Sequence, residues 1–424
     1  MRYRRLWLHR RSHRGPTLGT RFLLFLFLSD LFIFFKKNKG FRVRGTIRRA
    51  SSDERQKLGF LEELKESFSD RSAASLELVE ADLLDPASLQ RAIDGCTHVI
   101  HTASPSTHTA KDPKRDIVEP ILRGTKAVLT ACSRASSVQL LVLTSSISAV
   151  RNRGAEDKVF DESDWNDEAT PKEEPYNYAK TLGEKMAWQM VKNLEEEGEQ
   201  EGGESRNKFK LVTFCPTLVV GPLLSERMAV SNSVLLTIAS GQYPFLPKVC
   251  ENWVDVRDVA RAHVLAIQKE NIAQNQRYIL SGGMLWFREA AQLILNWTTQ
   301  QQQAAKSNTK FKHASSCITT KEMANFWMYF VALIEPRVTW KWCKNKLGVK
   351  TIVKADKVCR ELGLEYTPLE KTFADGCTSF MERGFLDWEE RAKKQQQKKK
   401  KAAFLFLFLL SILFSLLFAL FFSS

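Results

Sequence analysis

Three residues of this chain have types and spacings that could do chemistry together. Ser146 ends the run Leu140-Leu141-Val142-Leu143-Thr144-Ser145-Ser146, which reads as a buried strand running into a polar tip. Further along, Tyr176 and Lys180 stand four apart at the head of a helical stretch that continues to about Leu194. A helix puts both on one face. A phenol is a poor proton donor at neutral pH, with an unperturbed pKa of about 10. A nearby ammonium favours the phenolate and brings the tyrosine into range for general acid–base work. The serine hydroxyl could then hold the oxygen that is protonated. Such a set suits the reduction of a carbonyl, with Ser146, Tyr176 and Lys180 as the catalytic candidates.

The elements needed to position these groups can be read from the periodicity. Phe41–Ile47, Leu76–Ala81, His98–Thr102, the Ser146 strand and Lys210–Phe214 are short apolar runs separated by helical stretches. That alternation predicts an α/β fold, a parallel sheet covered on both faces. Asp85-Pro86 marks a helix start, since proline at the first helical position needs no amide. Val118–Arg134 reads as the helix leading to the Ser146 strand, and Glu195–Arg206 as a charged, glycine-bearing solvent loop. Each strand ends in small or polar residues, and in an open α/β sheet ligands bind at that edge. Asp255 and Asp258 read as caps of a helix running to about Ile267. His101 and His263 sit among apolar neighbours and read as core histidines. The stripe Phe326–Ile334 reads as core of a smaller second lobe.

Net charge is +15 over 424 residues, but it is concentrated at the ends. Residues 1–49 carry +13 and residues 391–401 carry +7, leaving about −5 on 50–390. The body therefore offers no basic face for nucleic acid. The eight cysteines include no Cys-x-x-Cys pair and no His/Cys spacing for zinc, so no metal is expected and the thiols read as reduced core residues. Ala402–Phe422 is uncharged over twenty-one residues and follows Lys393, Lys394 and Lys398–Lys401. It is long enough for a C-terminal transmembrane helix, a tail anchor holding the body on the cytosolic side. A low-complexity artefact, with a soluble cytoplasmic protein, is the alternative. Phe22–Phe35 is a shorter apolar run behind an Arg-rich leader, too short for a span.

From about Lys39 to Leu386 the chain resembles the extended short-chain dehydrogenase/reductase superfamily, in particular its dihydroflavonol-reductase-like and cinnamoyl-CoA-reductase-like members. Thr144-Ser145-Ser146 is similar to the segment carrying that family's catalytic serine, and Tyr176/Lys180 to its tyrosine and lysine. Val43-Arg44-Gly45-Thr46-Ile47-Arg48 resembles its second strand, His101-Thr102-Ala103-Ser104-Pro105 the strand end along the cofactor, and Ala81-Asp82-Leu83 an adenine-side contact. Pro216-Thr217-Leu218-Val219-Val220-Gly221-Pro222 is similar to the stretch beside the nicotinamide. Trp253–Ala260 and Arg360–Leu364 resemble recurring segments of the second lobe. The resemblance implies a Rossmann-like doubly wound sheet over residues 39–222 and a substrate lobe over 223–390, flanked by a leader (1–38), a basic linker (391–401) and the tail (402–422). It implies NADP rather than NAD, since Arg48 would meet the 2′-phosphate. Asp82, Leu83, Thr102, Ala103, Lys180, Pro216, Thr217 and Val219 would be further cofactor contacts, and a small carbonyl compound the substrate.

The chain departs from the family pattern in one place. The family's Gly-x-x-Gly-x-x-Gly turn should fall near Leu23, Leu26 and Ser29, and none of these is glycine. Gly15-Pro16-Thr17-Leu18-Gly19 has the wrong spacing, and Pro16 lacks an amide donor. Either the native amino end differs from the one written, or cofactor binding is poor. The rival readings are a membrane-associated hydroxysteroid dehydrogenase, a sugar-nucleotide epimerase and a non-catalytic membrane-anchored relative. Cinnamoyl-CoA reductases usually carry Asn-Trp-Tyr where Glu174-Pro175-Tyr176 stands here, which argues against a phenylpropanoid thioester.

Overall fold

The computed structural model describes residues 21–25, 42–48, 75–102, 112–152, 158–197, 207–225, 228–304, 311–334, 340–394 and 396–397. Its contacts divide the chain into two units. The first takes Met1–Thr217, Val256–Ser281 and Ile352–Tyr366; the second takes Leu218–Asp255, Gly282–Thr351 and Thr367–Ser424.

The first unit is built on a seven-stranded sheet. Its strands are β1 (Arg21–Phe25), β2 (Arg42–Ile47), β3 (Ser75–Glu80), β4 (His98–His101), β5 (Leu140–Thr144), β6 (Lys210–Pro216) and β7 (Gln276–Leu280). They lie in the order β7-β6-β5-β4-β1-β2-β3, and all pairs are parallel. The order reverses at β1, between β2 and β4, which is the topological switch point of a doubly wound sheet. The central strands have the composition this requires. Every residue of β4 is buried, as are Leu140–Leu143 of β5 and Leu211–Pro216 of β6, since parallel strands covered on both faces read as continuous apolar runs.

Helices α1 (Pro86–Ile93), α2 (Glu119–Arg134), α3 (Pro175–Glu197) and α4 (Val256–Gln268) belong to the same unit. Asp85 caps α1, accepting from the amides of Ala87 and Ser88, with Pro86 in the first turn as expected. Helix α2 buries Ile121, Thr125, Val128, Leu129 and Cys132, a stripe at helical spacing. Val128, Leu129 and Cys132 of this stripe, with Val191 and Leu194 of α3, pack with Leu89, Ile93, Val99, Leu141 and Leu211 in one apolar cluster. Each fully buried leucine or isoleucine there contributes about 1.5–3 kcal/mol. On α2, a Cβ at Gly124 would sit 3.3 Å from Leu83 Cδ1, so the glycine lets the helix approach the end of β3.

The second unit holds a three-stranded sheet of Leu218–Val220, Cys250–Asp255 and Gly283–Trp286, with helices Val230–Ala239, Phe287–Ala304 and Leu369–Glu382. Its core includes Trp253, edge-on to Phe373 at 5.2 Å between centroids, and Trp388, whose indole donates to Ala239 O at 2.8 Å.

The units interleave, whereas the sequence expectation placed a linear boundary at residue 222. Helix α4 and strand β7 return to the first sheet as a crossover, so 256–281 joins the first unit, as does 352–366 with Arg360–Leu364. The segment Arg21–Phe25, read as part of a leader, pairs with both β2 and β4. The stripe Phe326–Ile334 is a helix over Asn325–Ile334, but only one side is core. Met328 is buried while Phe326, Trp327, Phe330 and Leu333 are exposed. Among the described residues no helix is long and apolar enough to cross a membrane. The span expected at 402–422 lies outside the described residues.

Two buried histidines give the first unit a pH dependence. Burial holds His101 at about 3, with Lys180 adding to the effect, and burial holds His263 at about 4. Both rings are neutral in the folded chain. As pH falls below the ordinary value of 6.5, the unfolded chain takes up protons that the folded chain refuses. The stability present above that pH is therefore lost as pH falls toward about 4 and about 3, by at most about 1.4 kcal/mol per pH unit for each ring. The urea midpoint should drop between pH 7 and pH 5, and drop less in His263→Gln; equal midpoints across that range would contradict this.

Candidate active site

Because the strands of the sheet are all parallel, their carboxyl ends share one edge, and most of the candidate residues sit there. Arg48 follows β2 and is exposed. Asp82 and Leu83 follow β3, Thr102 follows β4, Ser145 and Ser146 follow β5, and Thr217 follows β6. Thr102, Ser145, Ser146 and Thr217 are buried. Pro216 is the last residue of β6, in register with Leu280. Thr217 donates to Leu280 O from both its amide (2.9 Å) and its hydroxyl (3.1 Å). Val219 falls in the second unit, on Leu218–Val220. Ala103 lies outside the described residues, as does the 26–41 segment that follows β1. Asp82 accepts from the amide of Leu84 at 2.8 Å, so its side chain also closes a turn.

The three catalytic candidates are held by different means. Ser146 starts a 3-10 turn over Ile147–Ala149, and its Oγ accepts from the amide of Ser148 at 3.1 Å. That bond uses an acceptor lone pair, so the hydroxyl proton remains available to donate. Tyr176 and Lys180 lie one turn apart at the start of α3, and Lys180 Nζ is 5.9 Å from the centre of the Tyr176 ring. The tyrosine is half-buried against Ile117, Val118 and Ile121. The ammonium is buried and donates to Thr144 O at 3.3 Å. One cation thus reaches both the end of β5 that carries the serine and the helix that carries the phenol.

Thr144 is fixed in turn by His263. Nδ1 of that histidine contacts Val259 O at 2.7 Å, and a carbonyl can only accept, so Nδ1 carries the proton. The ring is neutral, so Nε2 accepts from Thr144 Oγ1 at 2.7 Å. The histidines expected to be satisfied core residues thus include one that steadies the strand end.

One group that the sequence reading did not single out lies at the centre of this arrangement. Glu184 is buried on α3, and its carboxylate accepts from Ser145 Oγ (2.6 Å), Thr213 Oγ1 (2.7 Å) and Trp188 Nε1 (3.4 Å). Arg277 of β7 pairs with both of its oxygens, at 2.8 and 3.2 Å. The same guanidinium donates to the carbonyls of Ala149, Glu162 and Asp164, and stacks 3.8 Å over the Trp165 ring. The Cys215 thiol lies 3.5 Å from Glu184 Oε2. Burial, and then the carboxylate, push that thiol above its ordinary range, so it stays a neutral donor. The available signal was the spacing Tyr176-Lys180-Glu184-Trp188, one turn per step along a single helix. Nothing local in the sequence pointed to Arg277, which is ninety-three residues away from Glu184.

Leu83, His101, Leu143–Ser145, Lys180 and Glu184 also line one cavity between the sheet and helices α2 and α3. A dinucleotide would find polar groups along the edge formed by β2, β4, β5 and β6, with a cation at Arg48 suited to a phosphate. Among the described residues there is no cluster of metal-ligating side chains.

Comparison with known proteins agrees with this fold. A profile of the 3-beta hydroxysteroid dehydrogenase/isomerase family matches residues 47–288. Cinnamoyl-CoA reductase CAD2 of Medicago truncatula is 29% identical over 82% of this chain and 90% of its own length. Cinnamoyl-CoA reductase 1 of Petunia hybrida is 31% identical over 82% and 87%. Among solved structures, the yeast methylglyoxal/isovaleraldehyde reductase Gre2, complexed with NADPH, superposes with a TM-score of 0.64. It is 22% identical and covers 87% of this chain and 100% of its own. The profile match over more than half of the sequence and the relatives that cover most of it show that the chain belongs to the 3-beta hydroxysteroid dehydrogenase/isomerase family, on its cinnamoyl-CoA-reductase-like side.

Proposed function

We propose that the chain is an NADPH-dependent reductase of an aldehyde or ketone. The observation that carries the proposal is the placement of Lys180. Its ammonium touches the end of β5 at Thr144 O and also lies near the Tyr176 ring. Ser146 hydrogen-bonds the carbonyl oxygen and polarises it, and Tyr176 passes its proton to that oxygen. Lys180 favours loss of the phenolic proton by its charge and holds a ribose hydroxyl. Bound NADPH supplies the hydride; the chain's own residues bind, orient and protonate. Arg48, at the exposed end of β2, meets the 2′-phosphate. Thr102, Pro216 and Thr217 line the path along the sheet edge, with Asp82 and Leu83 on the adenine side and Ala103 and Val219 as further contacts.

The relatives' names include cinnamoyl-CoA, anthocyanidin and methylglyoxal/isovaleraldehyde reductases, so the panel to try comprises methylglyoxal, isovaleraldehyde and other small aldehydes and ketones, with cinnamoyl-CoA and an anthocyanidin beside them. The tail-anchored placement rests on the composition of 402–422 and the lysines before it. With 402–422 present, the expressed chain should stay with membranes through alkaline carbonate washing. Its release by that wash would remove the anchor from the proposal.

Two substitutions test the chemistry. Tyr176→Phe should lower kcat by ~10²–10⁴-fold, the usual contribution of a positioned proton donor, with cofactor affinity little changed. Turnover within threefold of the parent chain would sink this assignment. Arg48→Gln should reduce kcat/KM for NADPH by about tenfold, the loss of roughly one charge-assisted contact, and leave NADH almost unaffected. An equal effect on both cofactors would place Arg48 away from the 2′-phosphate.

A further inference from the structure

We infer that Glu184 is a positioning residue that sets the geometry of the proton-donor helix against the serine strand end. The inference rests on the reductase reading above for its effect on turnover, though not for its structural content. Two elements must be held in mutual register for the reaction. They are the turn carrying Ser146 and the first turns of α3, which carry Tyr176 and Lys180. Glu184 sits on α3 one turn beyond Lys180, and its Oε2 is held at 2.6 Å by the hydroxyl of Ser145, the neighbour of Ser146. One carboxylate therefore bonds the strand end from the helix.

The other contacts stop that carboxylate from adjusting. Thr213 fixes Oε1 at 2.7 Å from strand β6, and Arg277 grips both oxygens from β7. Arg277 is itself locked by the carbonyl of Ala149, at the far end of the Ser146 turn, by those of Glu162 and Asp164, and by the face of Trp165. The Ser146 turn is thus clamped at both ends, through Ser145 on one side and Ala149 on the other, by the two halves of one ion pair. Neither side chain is exposed enough for water to take over, at 0% for Glu184 and 7% for Arg277. Lys180 holds this register less firmly, since its bond to Thr144 O is 3.3 Å long. A misplacement of about 1 Å in such a site can cost on the order of 10²-fold in rate.

The test uses the full chain, NADPH, and whichever aldehyde or ketone of the panel turns over fastest. Glu184→Gln should lower kcat by ten- to a hundredfold on the scale set by misplacement, with KM for NADPH changed less than about threefold. Added to Tyr176→Phe, the same change should cost less than about threefold, because a group that acts by aiming the phenol has nothing left to aim. An equal loss in both backgrounds would mean a general structural role and overturn the inference. Native-state hydrogen exchange gives a readout independent of turnover. In Glu184→Gln the amides of 146–149 and of 176–180 should speed up together, while those of α2 keep their protection. Acceleration spread evenly over the unit, or confined to residues around 184, would also overturn it. If Glu184→Gln fails to fold, Ser145→Ala, which removes the 2.6 Å bond and the hydroxyl's contact with the Cys215 thiol but leaves Thr213 and Arg277 on the carboxylate, serves for both measurements with the same criteria. A normal kcat in Tyr176→Phe alone would defeat the reductase reading, and the exchange pattern would then decide the positioning inference by itself.

Discussion

The site depends on a buried charge pair. Taking a carboxylate and a guanidinium out of water costs several kcal/mol per ion, and only close geometry with further hydrogen bonds offsets it. Glu184 and Arg277 meet that condition. The carboxylate has four kinds of donor, and the guanidinium has three carbonyls and an aromatic face besides its partner. Such a pair is weak evidence for net stability, but breaking it is costly, since losing either partner strands a buried charge. Here the arrangement joins α3, β6, β7 and the turn after β5. Those elements carry or flank Ser146, Tyr176, Lys180 and Thr217.

A second constraint works through neutral groups. Burial keeps His263 uncharged, so its ring can bridge Val259 O and the Thr144 hydroxyl and hold the end of β5 from the side of α4. The Thr144 carbonyl meanwhile takes the bond from Lys180. Thr144 is thus anchored from both α4 and α3, Ser145 from α3, and Ser146 within its own turn by the amide of Ser148, and little freedom is left in the segment that must face a reacting carbonyl. The parallel sheet brings these groups together without local design, because every strand ends at the same edge.

Much of this was legible in the sequence for a physical reason. Buried parallel strands must be continuously apolar, so Leu140–Thr144, His98–Thr102 and Lys210–Phe214 were recognisable, as was the Asp85-Pro86 helix start. The Tyr176/Lys180 pair could be placed on one face because helical period alone fixes it. What escaped was long-range. Strand β7 and helix α4 return to the first sheet after a stretch of the second unit, and a linear boundary cannot express that. Arg277 finds Glu184 across ninety-three residues of chain. The helix at Asn325–Ile334 is apolar enough to read as core, yet it exposes most of its aromatic residues, because period tells which residues share a face and not whether anything covers that face.

The segment after β1 is where the account is most exposed. Strand β1 stands at the switch point of the sheet, and the sequence that follows it, from Leu26 to Lys39, contains no glycine. Calorimetric titration of NADPH into the full chain tests the central claim most directly. The account predicts saturable one-to-one binding in the micromolar range or tighter, with NADH distinctly weaker. A folded chain that takes up neither nucleotide would contradict it and leave a family member that has kept the arrangement of Ser146, Tyr176 and Lys180 without the reaction.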